Sequence, residues 1–457
     1  MHWENIFYVI SSILFISGIK RLSHPRTARS GNLIASSGML IAIVTTLVTS
    51  KSLSYELIGV GIIIGAIIGV FFAIRVEMTQ MPQMVAIFNG FGGIASALVA
   101  AAEFVNPSDS LTTFGLSTIS LSVFVGTLTF TGSFIAFGKL QGFISGKPIV
   151  FPGQKLLNGL IALAIVGLAI FLVVLSQDYK NFYALVALSA VIGITLTIPI
   201  GGADMPVVIS LLNSYSGIAA ASTGFVLNNN ALIISGALVG ASGLILTNIM
   251  CKGMNRSLAN VIFGAVGLEE TTGSGGNARE VNIKSYSTEE AAMIFDTAEK
   301  IIVVPGYGLA VAQAQHAVRE VADYLTGKGK KVLYAIHPVA GRMPGHMNVL
   351  LAEANVSYDQ LKDLDEVNNE FEDCDVALVL GANDVVNPAA RHDTSSPIYG
   401  MPILDVDKSQ TVIINKRTMN TGFAGVQNEL FGYDNSIMVF GDAKDMLQQL
   451  LKDLKEL

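Results

Sequence analysis

Residues 301–311, Ile-Ile-Val-Val-Pro-Gly-Tyr-Gly-Leu-Ala-Val, join a short β-branched run to a glycine-rich turn. Such a run is typical of a buried parallel strand. The pattern then becomes helical from Ala310 to Leu325 and closes on Thr326-Gly327, a C-cap signal. Strand, glycine turn and helix form the setting in which G-x-G-x-x-(G/A) binds a dinucleotide, because the glycines admit the pyrophosphate and the helix N-terminus faces its charge. The third position is Val311, so the fingerprint is incomplete and its context carries the prediction.

Later segments repeat the alternation of strand and helix. Strands are predicted at 331–336, 376–380, 411–415 and 437–440, and helices near 288–299, 346–355 and 442–456. This order predicts a Rossmann-like, doubly wound parallel sheet over residues 286–457, with its ligand at the carboxyl ends of the strands. The polar segments that follow the strands are 337–346, 381–384, 416–417 and 441–444.

Charge and hydropathy divide the chain into two unlike halves. Hydrophobic residues make up 51% of the 457 and charged residues only 14%, far from the usual soluble protein. Residues 1–262 carry twelve basic and seven acidic residues, whereas residues 263–457 carry sixteen basic and twenty-eight acidic ones. The sequence predicts a membrane domain over 1–262, a flexible linker over 263–285 and an acidic soluble domain over 286–457. The acidity disfavours nucleic-acid binding, and the separation of Cys251 from Cys374 disfavours a disulfide or thiolate metal site.

Nine stretches of the first half are long and apolar enough to cross a bilayer. They lie near 3–19, 32–50, 55–74, 82–104, 113–138, 156–176, 180–199, 205–226 and 230–250. Alternate connections carry ten basic residues on one side, Lys139 among them, and two on the other. Because basic residues accumulate on the cytoplasmic side, we expect a multi-pass protein of the inner membrane. Its N-terminus would lie outside and its C-terminal domain in the cytoplasm.

Few polar groups are predicted deep within the spans. None of the six histidines falls in mid-membrane, which excludes haem ligation by paired transmembrane histidines. Runs of small residues such as 124–133 indicate close helix packing. Two segments, Met81–Asn89 and Met205–Asn213, share the frame M-P-x6-N, which puts each Asn roughly 10 Å into its span. Such an amide either forms an interhelical hydrogen bond or lines a path for protons or ions.

The segment after the second strand bears on the choice of nucleotide. An NAD-binding fold usually has an Asp or Glu there for the ribose 2′-hydroxyl. This chain has His337 and Pro338, with Arg342 close behind. Either Arg342 or the later pair Lys416-Arg417 could hold a 2′-phosphate, although the pair could also be a solvated strand end. The sequence therefore favours NADP(H).

Longer segments resemble the β subunit of proton-translocating NAD(P) transhydrogenase. They are 200–206, 212–217, 250–256, 306–315, 337–348, 381–384, 400–402 and 416–425, and the resemblance covers nearly all of the chain. It implies that NADH reduces NADP⁺ by direct hydride transfer, coupled to inward proton movement. NADP(H) would bind this chain, and NAD(H) would bind a separate α-type subunit with its own membrane helices. The enzyme would act only with that partner, as a dimer of heteromeric protomers in the lipid membrane.

The resemblance also implies roles for particular residues. Lys416 and Arg417 would hold the 2′-phosphate in place of Arg342. Asp384 would be the acid near the nicotinamide that links protonation to cofactor affinity, so it is the one residue expected to have a catalytic role. The cofactor-binding residues expected are Gly306, Tyr307, Gly308, Leu309, Ala310 and Val311; Val339, Ala340, Gly341, Arg342, Met343 and Pro344 as a closing loop; Gly381, Ala382, Asn383 and Asp384; Gly400, Met401 and Pro402; Lys416 and Arg417; and Gly441, Asp442, Ala443 and Lys444. The expected proton path contains Asn89, Asn213 and Asp204.

The chain departs from that family at the proton path. Some members carry a protonatable histidine where this chain has Asn89, and acids where it has Gln80 and Gln83. A neutral amide cannot take up and release a proton, so we expect a partner helix to supply a histidine or a buried carboxylate close to Asn89. The alternative function is a transporter or channel that senses NADP(H) without hydride chemistry. A partner gene for an NAD(H)-binding subunit would favour the enzyme.

Overall fold

The structure is a computed structural model of the chain. It describes residues 3–22, 25–49, 54–76, 80–107, 111–146, 148–175, 178–255, 257–263, 283–342, 345–422 and 424–457, except the side chains of residues 25, 26, 203 and 263. The chain forms two compact units, Met1–Asn248 with Ala259–Gly267, and Ile249–Leu258 with Leu268–Leu457. Most of the predicted linker, 264–282, lies outside the described residues.

The described residues contain nine helices long and apolar enough to span a membrane, as predicted. They are α1 (Trp3–Leu22), α2 (Pro25–Thr49), α3 (Tyr55–Arg75), α4 (Met81–Val105), α5 (Thr113–Gln141), α6 (Gln154–Val174), α7 (Tyr179–Thr197), α8 (Met205–Val226) and α9 (Asn230–Gly253). A short helix, α10 (Leu258–Phe263), follows. Pro82 and Pro206 stand in the first turns of α4 and α8, where a missing N–H costs nothing.

Helix α5 lies at the centre of the membrane unit and packs against α4, α7 and α8. Small residues allow the close approach: a Cβ on Gly126 would lie 2.5 Å from the carbonyl oxygen of Gly93. Backbones that approach this closely gain van der Waals contact, which replaces the hydrophobic effect as the driving force inside a bilayer. In contrast, α3 buries none of its residues. Many of the buried polar side chains of this unit lie on α5, among them Thr118, Ser122 and Ser133.

The second unit, which the sequence predicts to be soluble and which is called the soluble unit below, contains a six-stranded parallel sheet. Its strands are β1 (Lys300–Pro305), β2 (Lys331–Ile336), β3 (Leu361–Asp363), β4 (Val376–Leu380), β5 (Thr411–Lys416) and β6 (Ser436–Phe440). The spatial order is β3-β2-β1-β4-β5-β6, and every pair is parallel. This is the order of a Rossmann sheet, and it confirms the predicted fold class. The edge strand β3 was not predicted.

Helices cover both faces of the sheet, so its strands are buried on both sides. They are α11 (Thr288–Thr297), α12 (Tyr307–Val311), α13 (Gln315–Gly327), α14 (His346–Glu353), α15 (Leu364–Val367), α16 (Ala389–His392) and α17 (Ala443–Glu456). On one face, alternate strand residues such as Ile302 and Ala377 join a core that contains Phe371 and Phe431. Helix α17 packs against both α11 and α13, and it also contacts β5.

The helix predicted from Ala310 to Leu325 is wrong in one respect, since it is two helices. Residues 312–314 interrupt it, and Gln313 adopts a left-handed conformation with φ of +48°. The predicted C-cap is also displaced, because α13 continues through Gly327 and the left-handed glycine is Gly329. The break turns the chain after β1, so that α12 lies at the carboxyl edge of the sheet and α13 covers its face.

Candidate functional site

The glycine turn after β1 packs directly on the loop after β4. The amide of Gly306 donates to the carbonyl of Leu380 (2.9 Å), and that of Gly308 donates to the carbonyl of Gly381 (3.0 Å). A Cβ on Gly308 would lie 2.6 Å from the Cα of Gly381, which itself has a φ of +65°. These glycines therefore serve backbone-to-backbone packing between two strand ends. The sequence predicted instead that both glycines admit a pyrophosphate, and it did not predict this packing.

Two histidines, His337 and His346, flank the closing loop, residues 339–344. The Nδ1 of His337 accepts from the amide of Val339 (3.2 Å), so its Nε2 carries the proton that is donated to the carbonyl of Pro402 (2.8 Å). At the other end, the amide of Arg342 donates to Nδ1 of His346 (3.1 Å). Gly341, with φ of +104°, passes so close to that ring that any Cβ would overlap it. The closing loop is thus held at both ends, while Met343 and Pro344 lie outside the described residues.

We expect the stability of the soluble unit to depend on pH through His337. Burial lowers the pKa of this histidine from 6.5 to about 4, and its hydrogen bond to Pro402 only partly opposes that shift. The unfolded chain then binds more protons between pH 4 and 6.5, so stability is complete above pH 6.5 and falls as the pH drops towards 4. The difference corresponds to about 3 kcal/mol. Urea unfolding of the soluble half at several pH values should show this loss, and His337→Gln, which does not titrate, should flatten it. An unchanged pH profile in that variant would contradict the assignment.

Tyr307, which follows β1, is in contact with Arg342, which follows β2. The Arg342 guanidinium stacks over the Tyr307 ring, with its carbon 4.4 Å from the ring centroid. Burial raises the pKa of Tyr307, and the positive charge of Arg342 opposes the shift. Leu309 and Ala310, in the same turn, are fully buried, so their side chains pack in the core. Only the main chain of these two residues is in a position to meet a ligand.

The loop after β4 contains the most informative side chain of the site. Both polar atoms of the Asn383 carboxamide are buried, and neither has a hydrogen-bond partner among the described residues. Leaving such a group unsatisfied costs about 1–3 kcal/mol, so the Asn383 carboxamide is a candidate contact for a ligand. Its neighbour Asp384 accepts from the amide of Ala424 (3.0 Å). Gly422 lies against the same carboxylate, where a Cβ would approach to 2.5 Å.

Lys416 and Arg417, adjacent in sequence, point to different surroundings. The Lys416 ammonium donates to the carbonyl of Asn420 (2.9 Å) and lies 4.7 Å from the centroid of the Phe431 ring. Burial lowers its pKa, and the charge of Asp384 opposes that shift. Arg417 is more exposed and forms an ion pair of 2.6 Å with Asp442. The lysine therefore contacts Asn420 and Phe431 within electrostatic range of Asp384, whereas the arginine pairs with Asp442.

The remaining candidates complete the same edge. Asp442 also caps α17 by accepting from the amide of Lys444 (3.0 Å), while Gly441 has a φ of +144° and Ala443 is buried. Gly400, with φ of +75°, and the largely buried Met401 precede Pro402, whose carbonyl accepts from His337. An unsatisfied carboxamide, three cationic side chains and no acid in the closing loop fit a phosphorylated dinucleotide. Asn383, Lys416 and Arg417, with Arg342, are the side chains available to hold it.

In the membrane unit, a polar cluster forms around Asn89 where α4, α5 and α8 meet. The Asn89 amide donates to the hydroxyl of Ser133 (3.0 Å), and its carbonyl oxygen accepts from the hydroxyl of Ser216 (2.7 Å). Asn89 is only 8% exposed. Asn213, the other predicted asparagine, is half-buried on α8, and it is Ser216 that reaches Asn89. Ser133 and Ser216 were not predicted, because serines in a span rich in small residues are typical of packing.

Comparison with known proteins agrees with both units. The family model for the NAD(P) transhydrogenase beta subunit matches residues 4–453. Two curated relatives, each an NAD(P) transhydrogenase subunit beta, come from Rhodospirillum rubrum and from a named strain of that species. Each is 52% identical over 453 residues, which is 97% of this chain and 97% of the relative. The chain therefore belongs to the family of NAD(P) transhydrogenase beta subunits.

Proposed function

We propose that the chain is the NADP(H)-binding, membrane-embedded subunit of a proton-translocating transhydrogenase, and that it acts with an NAD(H)-binding α-type partner. The observation that carries the cofactor assignment is Asn383, whose buried carboxamide has no partner among the described residues at the carboxyl edge of a Rossmann sheet. Family membership supports the reaction, and the cationic side chains at the same edge support NADP(H) over NAD(H). The membrane helices support coupling to transport across a bilayer.

The residues of this chain would position and shield the cofactor. Bound NADP(H) supplies or accepts the hydride, so no protein nucleophile is needed and catalysis depends on orientation and water exclusion. Asn383 would fix the orientation of the ligand through hydrogen bonds. Lys416 and Arg417 would hold the 2′-phosphate, and the closing loop would cover the site. Asp384, close to Lys416, would couple a change in protonation to cofactor affinity.

We further propose the arrangement in the cell. The chain would lie in the inner membrane with its N-terminus outside and residues 286–457 in the cytoplasm, as the excess of basic residues on one side favours. Residues 1–262 would form the proton-conducting domain, with Asn89, Asn213 and Asp204 on its path. Two heteromeric protomers would assemble around the two copies of this subunit.

A fragment that begins near residue 282 should be soluble and should bind NADPH without the membrane half. The sheet, its covering helices and the candidate site all lie after that point. Isothermal calorimetry should give saturable binding, and Asn383→Ala should weaken it about two- to tenfold, since a lost hydrogen bond costs roughly 0.5–1.5 kcal/mol. A well-folded fragment that does not bind NADPH would remove the cofactor assignment. Binding without hydride transfer in the full complex would instead favour the NADP(H)-gated transporter.

A further inference from the structure

A second polar cluster lies on the same three helices as the cluster around Asn89. It joins the hydroxyls of Ser122 on α5 and Thr223 on α8, whose oxygens are 2.7 Å apart. Both hydroxyls also lie within hydrogen-bond distance of the main-chain oxygens of Ser96 on α4 (3.4 and 3.2 Å) and of Ala219 on α8 (3.2 and 3.0 Å). We call this cluster the Ser122–Thr223 joint. The proposed proton path assigns it no role.

The joint is buried within the membrane unit. Ser122 is fully buried and Thr223 is 2% exposed. The two hydroxyls have two hydrogens between them, and two carbonyls as well as each other to accept them, so the hydrogens can be shared in more than one way. The contact between the helices therefore persists when either hydroxyl turns. By contrast, the hydroxyl of Ser189 on α7 donates to the carbonyl of Leu185 in its own helix (2.6 Å), and that bond links no two helices.

The joint and the Asn89 cluster are in register along α4 and α8. Ser96 follows Asn89 by seven residues on α4, and Thr223 follows Ser216 by seven residues on α8. Seven residues are about two turns, so each pair lies on one face of its helix, roughly 10 Å apart. The two clusters are thus two levels of a single seam between these helices.

Helix α5 crosses this seam in the opposite direction. Its later residue, Ser133, accepts from Asn89, whereas its earlier residue, Ser122, contacts Thr223. One cluster holds three helices at a point, about which each helix can still tilt. A second cluster on the same helices removes that freedom.

Hydroxyls that bridge helices stabilise packing in many membrane bundles. The register gives this joint a more specific consequence, because a tilt at its level displaces the hydroxyls of Ser133 and Ser216 relative to Asn89. Hydrogen bonds weaken steeply as their angles depart from linearity. The geometry around Asn89 is therefore sensitive to the joint although no atom of the joint contacts Asn89 in the described hydrogen bonds.

We propose that Ser122 and Thr223 are positioning residues of the proton path. Their joint fixes the register of α4, α5 and α8, and thereby keeps Ser133 and Ser216 at hydrogen-bonding distance from Asn89 and from a titrating group beside it. The inference rests on the proposed function, in which protons pass Asn89.

The test uses the complete complex with its partner, reconstituted in liposomes, with proton uptake and hydride transfer followed together over a range of pH. Ser122→Ala and Thr223→Val each remove one hydroxyl at nearly unchanged shape, and each should slow coupled turnover about two- to tenfold. Each should also shift the pH profile of proton uptake, because the titrating group loses well-placed hydrogen-bond partners. Thr223→Ser retains the hydroxyl and should keep both rate and profile. Ser189→Ala, which removes a fully buried hydroxyl from α7, is the matched control and should change neither.

A double-mutant cycle shows whether the joint acts through the Asn89 cluster. Substitutions more than about 7–10 Å apart normally have additive effects on free energy. Ser122 and Ser133 are separated by roughly 16 Å along α5, so independent roles would make their losses of rate multiply. If the joint positions Ser133, Ser122→Ala should cost little more once Ser133→Ala is present.

Normal rates in both single variants, losses that multiply in the cycle, or a slower rate with an unchanged pH profile would each overturn the inference. If Thr223→Val does not assemble, Ser122→Ala, the smaller change, decides. Failure of both to assemble would show that the joint serves folding alone, which also overturns it. Hydride transfer without proton uptake in the unmodified complex would instead overturn the proposed function on which the inference rests.

Discussion

Replacement of Lys416 by Ala is expected to weaken NADPH binding about ten- to a hundred-fold, and Arg417→Ala is expected to do the same. Each substitution would remove the charge-assisted hydrogen bond that we propose to the 2′-phosphate, and such a bond is worth about 1.5–3 kcal/mol. An analogue without that phosphate should lose far less affinity in both variants. Calorimetry with the two ligands measures the difference directly.

The structure predicts that the two variants will differ in detail. Lys416 is half-buried between Phe431 and the carbonyl of Asn420, so its loss also removes packing and should reduce stability slightly. Arg417 is paired with Asp442, and its removal leaves an unpaired carboxylate near the proposed phosphate site. We therefore expect Arg417→Ala to discriminate more strongly against the phosphorylated ligand, and Arg417→Ala with Asp442→Asn to recover part of the loss.

Lys455→Ala, at the exposed C-terminal end of α17, is the control for a general loss of positive charge. Equal losses for both ligands in Lys416→Ala and Arg417→Ala would show that the pair only supports the fold. Arg342, stacked on Tyr307 at the neighbouring strand end, would then be the better candidate for the 2′-phosphate.

Secondary structure was predictable where one physical signal dominates. Long apolar stretches and β-branched runs determined the nine spans and five of the six strands, because burial on all sides leaves a continuous hydrophobic run. Strand β3 has only three residues, Leu361-Lys362-Asp363, at the sheet edge, and such a segment carries no periodicity. The break at Gln313 was missed for the opposite reason: its alanine-rich surroundings favour a helix, and tertiary packing overrides that preference.

The site was predictable in its location but not in its pairings. In a parallel sheet the segments that follow the strands lie at the same edge. The predicted sheet therefore placed the segments after β1, β2, β4, β5 and β6 at one site. No sequence pattern shows that Gly308 packs on Gly381, or that Arg417 turns towards Asp442. Lys139 was counted as a loop lysine by its sequence position, whereas the structure buries it against two carbonyls.

Removal of a titrating group from the partner's membrane helix is expected to abolish proton pumping. Coupling needs a side chain that changes charge near neutral pH, and histidine has the suitable unperturbed pKa. This chain has no histidine in its spans. Asn89 is a neutral amide that is hydrogen-bonded to Ser133 and Ser216. We therefore expect a histidine or buried carboxylate of the partner close to Asn89, with Asp204 relaying the proton towards the soluble domain. Its replacement by a non-titrating isostere should stop proton uptake in liposomes together with coupled hydride transfer.

The polar cluster also predicts how that loss can be reversed. The hydroxyls of Ser133 and Ser216 already face the two ends of the Asn89 amide, and either can donate to or accept from an imidazole nitrogen. Asn89→His should then restore proton pumping in the complex whose partner group has been replaced, because the ring moves to a neighbouring helix but stays in the same cluster. Asn158→His, on α6 and hydrogen-bonded to the carbonyl of Thr195 outside the polar cluster, is the matched control and should not restore it. Full pumping after the partner's group is replaced, or from a partner with no titratable residue in the bilayer, would defeat the hypothesis.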